Sequence, residues 1–168
     1  MVAPTLFALN SRFTVEKYMK IAIEAAKECA ARDEVPVGAV IVKNGEIIAI
    51  CGNGRETERD ATAHAETSAI REACRKLGGW NLHDCELYVT LDPCIMCAGA
   101  IINSRIAKVI YGASDTKMGA MGGMTDVTAL PVNHKPEIVS GVLDEECAQL
   151  LKDFFKSKRE RGARWTNK

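Results

Sequence analysis

Four side chains in two short motifs could build a reactive metal centre. His64 and Glu66 stand two residues apart, and Cys94 and Cys97 form a Cys-x-x-Cys pair that begins thirty residues after His64. Imidazole and thiolate groups are ligands that suit zinc, and two cysteines three apart can bind one ion from a single turn of helix. His64, Cys94 and Cys97 therefore form a candidate three-ligand zinc site with one ion per chain.

The number of ligands indicates catalysis rather than a purely structural site. A structural zinc ion takes four protein ligands, whereas a catalytic one leaves a position for water. Zinc lowers the pKa of that water to about 7. Glu66 is close enough to His64 to reach such a water without binding the ion, so we expect Glu66 to be the catalytic residue that moves protons.

Neither motif is specific when it is taken singly. A Cys-x-x-Cys pair also occurs in redox-active sites and in structural zinc knuckles, and His-x-Glu recurs by chance. Pro93 precedes Cys94, so the two motifs together match the known zinc deaminase pattern H-x-E followed by P-C-x-x-C. The combination favours a catalytic zinc site over both alternatives.

Composition places the chain among single-domain globular proteins. Its 168 residues suffice for one core. No apolar run approaches the roughly 20 residues that span a bilayer, and the amino terminus lacks the basic start of a signal peptide. The seven cysteines show no disulfide framework spacing, which suits a reducing compartment. We expect a cytoplasmic protein with an N-terminal tail over residues 1–13 and one zinc-dependent domain over residues 14–168.

The formal charge balances over the whole chain but not along it. Residues 152–168 contain seven basic and two acidic side chains, which makes this segment +5 and leaves −5 for the remainder. A basic C-terminal helix and tail of this kind can contact nucleic acid, or it can be a solvated helix end. Charge alone leaves both interpretations open.

Apolar periodicity and turn signals predict the element order α-β-β-α-β-α-β-loop-β-α. The helices are expected over residues 13–31, 63–77, 92–103 and 144–159, and the strands over residues 37–42, 46–50, 87–91, 107–111 and 137–140. Asn44-Gly45 between the first two strands predicts an antiparallel hairpin. Thr62 and Asp92 are the expected N-caps of the second and third helices. The order predicts a three-layer α/β/α sandwich with a mixed five-stranded sheet.

The glycine-rich segment 112–135 is expected to be loop with at most short helices. A long ordered loop in a compact domain is often functional, although it can also be a passive connection. Both metal-bearing helices should begin at the same edge of the sheet, where open α/β sheets place their sites.

Several stretches of the chain resemble a known family, the cytidine deaminase-like zinc deaminases, and within it the tRNA adenosine deaminases. The stretches that carry the resemblance are E-V-P-V-G-A-V at 34–40, T-A-H-A-E at 62–66, L-Y-V-T-L at 87–91, P-C-I-M-C-A-G-A at 93–100 and S-R-I at 104–106. Shorter matches follow at 133–134, 141–143, 146–147 and 153–155. The metal motif identifies the superfamily, and the later stretches point to the tRNA branch.

The resemblance implies hydrolytic deamination of adenosine to inosine at the wobble position of a tRNA anticodon stem-loop. It also implies the cytidine deaminase-like fold, a homodimer and the zinc ligands named above. Asn53 matches the family residue that hydrogen-bonds the flipped base, and the Ala65 backbone matches one that contacts the base beside the metal.

Three positions depart from the family pattern. Asp92 stands where a glutamate is usual, Ala61 replaces a common proline, and Gly123 takes the usual place of a serine. The last of these puts fine substrate contacts in doubt, but it leaves the chemistry unchanged.

Two other functions fit parts of the sequence. A deaminase of a free base such as guanine or cytosine would have the same metal motif, and residues 64–77 are similar to guanine deaminases. A non-catalytic partner subunit would also keep the fold, but such subunits tend to lose the glutamate that Glu66 represents.

Overall fold

The computed structural model describes the backbone of residues 6–162 and the side chains of residues 13–162. The helices are α1 Leu6–Ala31, α2 Ala65–Leu77, α3 Ile95–Asn103 and α4 Asp144–Glu160. The strands are β1 Gly38–Lys43, β2 Glu46–Gly52, β3 Cys85–Leu91, β4 Lys108–Ala113 and β5 Glu137–Val139, with a short 3-10 helix at Val127–Ala129. The predicted order of elements is confirmed.

The five strands form one mixed sheet in the order β2-β1-β3-β4-β5. Strand β1 runs antiparallel to both of its neighbours, whereas β3, β4 and β5 run parallel to one another. The β1–β2 hairpin turns at Asn44 and Gly45, whose φ angles of 50° and 81° are both positive. Two positive φ angles are what the tightest hairpin turn requires, so the Asn-Gly signal predicted this turn correctly.

Two hydrophobic cores cover opposite faces of the sheet and make the fold three-layered. Alternate residues of β1 and β3 pack under α2 and α3 on one face; this core includes Ala39, Ile41, Leu87, Val89, Ala69, Ala73 and Ile101. The intervening residues pack under α1 and α4 on the other face; this core includes Val40, Val42, Tyr88, Met19, Ala22 and Cys147. The strict alternation along each strand places α2 and α3, which bear the metal motifs, on the same face.

The structure corrects several predicted boundaries. Helix α1 begins at Leu6, so residues 6–13 of the expected tail are helical, and residues 1–5 lie outside the described residues. Helices α2 and α3 begin later than predicted, with His64 and Cys94 at their N-cap positions. Thr62 does not cap α2, because its hydroxyl bonds to Asp60. The apolar pattern could not locate these ends, since loops compete for the capping side chains.

No helix within the described part of the chain has both the length and the apolar character needed to cross a membrane.

Candidate metal centre and active site

The two metal motifs meet because each lies at the start of a helix on the same face of the sheet. His64 and Cys94 occupy the N-cap positions of α2 and α3 and have extended backbone conformations. Cys97 lies in the first turn of α3 and is fully buried. Strand β3 ends at Leu91, three residues before Cys94, so the short β3–α3 connection leads directly into the site.

The three proposed ligands have the separation that a tetrahedral zinc ion requires. His64 Nδ1 lies 3.7 Å from Cys94 Sγ and 3.5 Å from Cys97 Sγ. With Zn–S bonds of about 2.3 Å and Zn–N bonds of about 2.0–2.1 Å, a tetrahedral angle separates sulfur and nitrogen by about 3.6 Å. All three donor atoms lie within 4.8 Å of one another. The residues present therefore fit a zinc ion without rearrangement.

A hydrogen bond between Cys94 and Cys97 shifts the pKa values of the two thiols in opposite directions. Hydrogen bonds that the Cys94 thiolate accepts from Cys97 and from His64 lower the pKa of Cys94 to about 4. The hydrogen bond between the two cysteines and burial raise the pKa of Cys97. The hydrogen bond with Cys94 also raises the pKa of His64. Cys94 is therefore the thiol that loses its proton more readily, and a bound divalent cation would favour loss of the proton from Cys97 as well.

Glu66 lies in the first turn of α2 and only 4% of it is exposed. Burial raises the pKa of its carboxyl to about 6, and the charge of Cys94 adds to this shift. A carboxyl with a pKa near 6 is mostly ionised at neutral pH but takes up a proton readily. Among the described residues the metal cluster contains only His64, Cys94 and Cys97, so Glu66 stands beside the candidate ligands rather than among them.

A cavity of about 210 Å³ opens onto this cluster. Its lining consists of Val35, Val37, Asn53, Arg55, His64, Glu66, Leu91, Asp92, Cys94, Asp115 and Met118. Asn53, predicted to bind substrate, therefore lies in the same cavity as Glu66. Ala65 and Cys97 do not line the cavity and are fully buried.

The sequence did not predict that four polar or flexible residues line the cavity: Arg55, Asp92, Asp115 and Met118. Asp92 was expected to cap α3, but its buried carboxylate instead accepts hydrogen bonds from Met121 N at 3.1 Å and Gly123 N at 2.8 Å. It thereby ties the β3–α3 connection to the loop that bears Asp115 and Met118. Arg55 carries no signal in the sequence, because only the fold brings its loop to the cavity.

Two of the three departures from the family pattern meet in this loop. A Cβ atom at Gly123 would lie 2.3 Å from Asp115 O and 2.5 Å from Asp92 Oδ2. A side chain at position 123 would therefore force the loop away from Asp92. Ala61, the third departure, is exposed in a turn before α2.

Comparisons with known proteins agree with this geometry. A family model described as the cytidine and deoxycytidylate deaminase zinc-binding region matches residues 13–113. The tRNA-specific adenosine deaminase of Bacillus subtilis is 51% identical over 147 residues, which cover 87% of this chain and 91% of the relative.

Two solved structures are also similar. One, from a study of A-to-I editing by tRNA:A34 deaminases at the wobble position of transfer RNA, is 43% identical with a TM-score of 0.77 and covers 80% of this chain and 99% of its own. A guanine deaminase from Bacillus subtilis is 36% identical with a TM-score of 0.59 and covers 91% and 96%. The chain therefore belongs to the zinc-binding cytidine and deoxycytidylate deaminase family and, within it, to the tRNA-specific adenosine deaminases.

Proposed function

We propose that this chain hydrolyses adenosine at the wobble position of a tRNA anticodon to inosine and ammonia. The observation that carries the proposal is the cluster of His64, Cys94 and Cys97 at a cavity that also contains the buried carboxyl of Glu66. The similarity to a tRNA-specific adenosine deaminase over 87% of the chain supports the choice of substrate.

We propose that His64 Nδ1, Cys94 Sγ and Cys97 Sγ hold one zinc ion, since their separations fit its tetrahedral geometry. When bound, zinc supplies a Lewis acid that lowers the pKa of a coordinated water to about 7. The lowered pKa of Cys94 favours binding, because this ligand loses its proton below neutral pH, whereas the raised pKa of Cys97 means that the ion must displace a proton from the second thiol.

The carboxylate of Glu66 performs the acid–base work in this proposal. It accepts one proton from the attacking water and donates it to the purine ring. It then accepts the second proton of the same oxygen and donates it to the amine, which leaves as ammonia. The raised pKa of about 6 suits both steps, since neither the ionised nor the protonated form is strongly disfavoured near neutral pH. Its burial keeps bulk water from competing for the same proton.

Asn53 and Ala65 are proposed to hold the base. Asn53 lines the cavity, and Ala65 is the first residue of α2, where a backbone N–H has no acceptor within the helix. The cavity accommodates a single base rather than a base pair. The substrate nucleotide must therefore be splayed out of the anticodon loop.

The tRNA anticodon stem-loop is the proposed partner, and we further propose that the chain acts as a cytoplasmic homodimer. All seven cysteines are free, which suits a reducing compartment. Four large apolar side chains of α3 and of the loop after β4 are exposed and could meet a second copy: Ile95, Met118, Met124 and Leu130. Light scattering coupled to size-exclusion chromatography would test the dimer.

Incubation of the zinc-loaded protein with a panel of anticodon stem-loops tests the proposed reaction. Inosine should form in stem-loops with adenosine at the wobble position and not in those with adenosine elsewhere. Guanine and cytosine are tested in parallel, because the similarity to a guanine deaminase favours a free base as the second candidate substrate. Ammonia release from a free base alone would contradict the tRNA assignment, and inosine formation by the isolated protein would exclude a non-catalytic partner subunit.

A further inference from the structure

Glu34, in the connection between α1 and β1, is a fully buried carboxylate with hydrogen bonds to both of its oxygens. It accepts from Thr57 N at 2.6 Å, Thr57 Oγ1 at 2.7 Å, Asn53 Nδ2 at 3.2 Å and Glu56 N at 3.3 Å. Burying a carboxylate is unfavourable unless such bonds replace water. Loss of these hydrogen bonds would therefore leave a buried carboxylate without partners and would destabilise the fold.

All four donors belong to one short segment, residues 53–57, which follows β2. Asn53 and Arg55 of this segment line the active-site cavity, whereas Glu34 does not. Glu34 can therefore influence the reaction only through the residues that it holds. Of these, Asn53 is the side chain expected to contact the base.

The backbone around Asn53 is fixed independently of Glu34. Asn53 N donates to Val37 O at 3.0 Å, and Gly54 N donates to Ala63 O at 2.9 Å. The remaining freedom of Asn53 is the orientation of its carboxamide. A carboxylate only accepts hydrogen bonds, so the amide nitrogen must face Glu34, and Oδ1 with the second N–H is left for other partners. If the carboxamide were flipped, Asn53 Oδ1 would face a carboxylate oxygen of Glu34, and neither oxygen can donate a hydrogen bond.

We propose that Glu34 is a positioning residue that fixes the order of donor and acceptor which Asn53 presents to the substrate base. Bases differ in the order of donors and acceptors along their edges. Glu34 thereby sets discrimination between adenosine and other nucleosides at the reacting position. This inference rests on the proposed function, since it takes Asn53 as the residue that contacts the base.

The variant Glu34→Gln tests the proposal, because a glutamine amide can turn to pair with either orientation of Asn53. We expect kcat/KM for a stem-loop with adenosine at the wobble position to fall about tenfold or more, the size of one hydrogen bond to a charged group. The ratio of kcat/KM for adenosine over cytidine at that position should fall as well. In an Asn53→Ala background Glu34→Gln should change neither quantity further, and equal effects in both backgrounds would overturn the proposal.

The matched control is Thr57→Val, which removes one hydrogen bond to Glu34 but leaves the bond from Asn53. We expect a lower melting temperature with the adenosine-to-cytidine ratio unchanged. If Thr57→Val shifts that ratio as much as Glu34→Gln, general loosening of the segment accounts for the effect and the positioning role is wrong.

A measurement independent of activity separates this inference from the proposed function. In the zinc-loaded protein the side-chain amide protons of Asn53, identified in NMR spectra by their loss in Asn53→Ala, should exchange with solvent slowly. Glu34→Gln should accelerate that exchange, and identical exchange in both proteins would overturn the inference. Absence of inosine with the wild-type protein would instead refute the proposed function.

Discussion

Glu66 combines two properties that rarely occur together, near-complete burial and proximity to a cluster of metal-binding side chains. Its raised pKa of about 6 follows mainly from burial. A buried carboxyl beside a candidate metal centre has a chemical role more often than a structural one. This residue is therefore the most direct test of the mechanism.

Replacing Glu66 by alanine should abolish deamination while the zinc content stays at one ion per chain. Loss of a general acid–base group typically costs about 10²–10⁴-fold in rate, and the three metal ligands are untouched. Glu72→Gln, farther along the same helix and outside the cavity, is the control and should keep wild-type turnover. Inosine formation and metal analysis measure the two quantities; full activity in Glu66→Ala would exclude the assigned role.

Removal of the metal should make Cys94 reactive. The hydrogen bond from Cys97 lowers the pKa of Cys94 to about 4, so we expect this partly exposed thiol to be ionised at pH 7 once the metal is removed. Iodoacetamide should modify Cys94 after chelation and spare it in the zinc-loaded protein. Cys147, whose pKa burial raises to about 12, should stay unmodified in both states. Mass spectrometry of peptides reads both sites, and equal labelling of Cys94 with and without metal would argue against zinc ligation.

Residue types and short spacings were enough to predict that His64, Cys94 and Cys97 come together. Each motif is local, and each lies at the start of a helix on the same face of the sheet. Glu34 and Arg55 were not predicted to act at the site. Glu34 reaches its partners across 19 to 23 residues of chain, and no local pattern records such a hydrogen bond.

At the scale of elements, periodicity predicted which segments are helices and strands, but it did not predict how the loops are held. Asp92 has the residue type of an N-cap and the right position before Pro93, yet its carboxylate bonds to the loop after β4. That loop is a wall of the active-site cavity rather than a passive connection, since Asp115 and Met118 line the cavity.

Gly123→Ala should disturb this wall. The new Cβ would lie 2.3 Å from Asp115 O and 2.5 Å from Asp92 Oδ2, so the loop must move. We expect a loss of about 1–3 kcal/mol in the free energy of unfolding and a higher KM for the stem-loop. Gly79→Ala is the matched control, because a Cβ there meets no atom within 4 Å. Denaturant unfolding measures the free energy of unfolding, and steady-state kinetics measure KM. Indistinguishable results for the two variants would contradict the proposed packing.

The end of α4 is tied to the end of α1 by Asp33, which pairs with Lys158 and, at 2.9 Å, with Arg161. The hydrogen bond from Lys158, with that from Arg161, lowers the pKa of Asp33 from 3.8. A lowered carboxyl pKa stabilises the fold above the unfolded-state value and ceases to do so as pH falls through the folded-state value.

Asp33→Asn should therefore lower the melting temperature slightly at pH 7, because asparagine keeps the positive φ of 65° but not the charge. The difference from wild type should shrink as the pH falls below about 4, where the unfolded chain already binds the proton. Thermal unfolding of both proteins at several pH values measures this difference in melting temperature. A difference that stays constant down to acid pH would mean that the ion pairs do not stabilise α4.

At the scale of the whole molecule, the two helical layers differ in what they carry, because the metal motifs lie in only one of them. Helices α2 and α3 bring the metal motifs to one face of the sheet, while α1 and α4 cover the other face, so the basic residues of α4 lie on the side away from the metal motifs. The sequence predicted this architecture because the order of helices and strands implies helices on both faces of a mixed sheet. It could not decide whether the basic segment contacts RNA, since a charge pattern does not specify its partner.

Two basic residues of this segment already form ion pairs within the fold, so they are less available to bind RNA. Lys158 and Arg161 pair with Asp33, whereas the exposed Lys152 and Lys156 lie elsewhere on α4. If α4 contacts tRNA, Lys152 and Lys156, together with the exposed Arg159, are basic side chains of its described part that can bind phosphate groups.

Lys152→Gln with Lys156→Gln should weaken binding of a tRNA and reduce its salt dependence. Each lost phosphate contact lowers the magnitude of the slope of log K against log salt by about 0.7–0.9, because fewer counterions are released. The control is Lys20→Gln with Lys27→Gln, which removes the same charge from exposed positions of α1. Binding titrations of full-length tRNA over a range of salt concentrations measure both slopes. Equal slopes for the two double variants would show that only net charge matters and that α4 makes no contact of its own with the RNA.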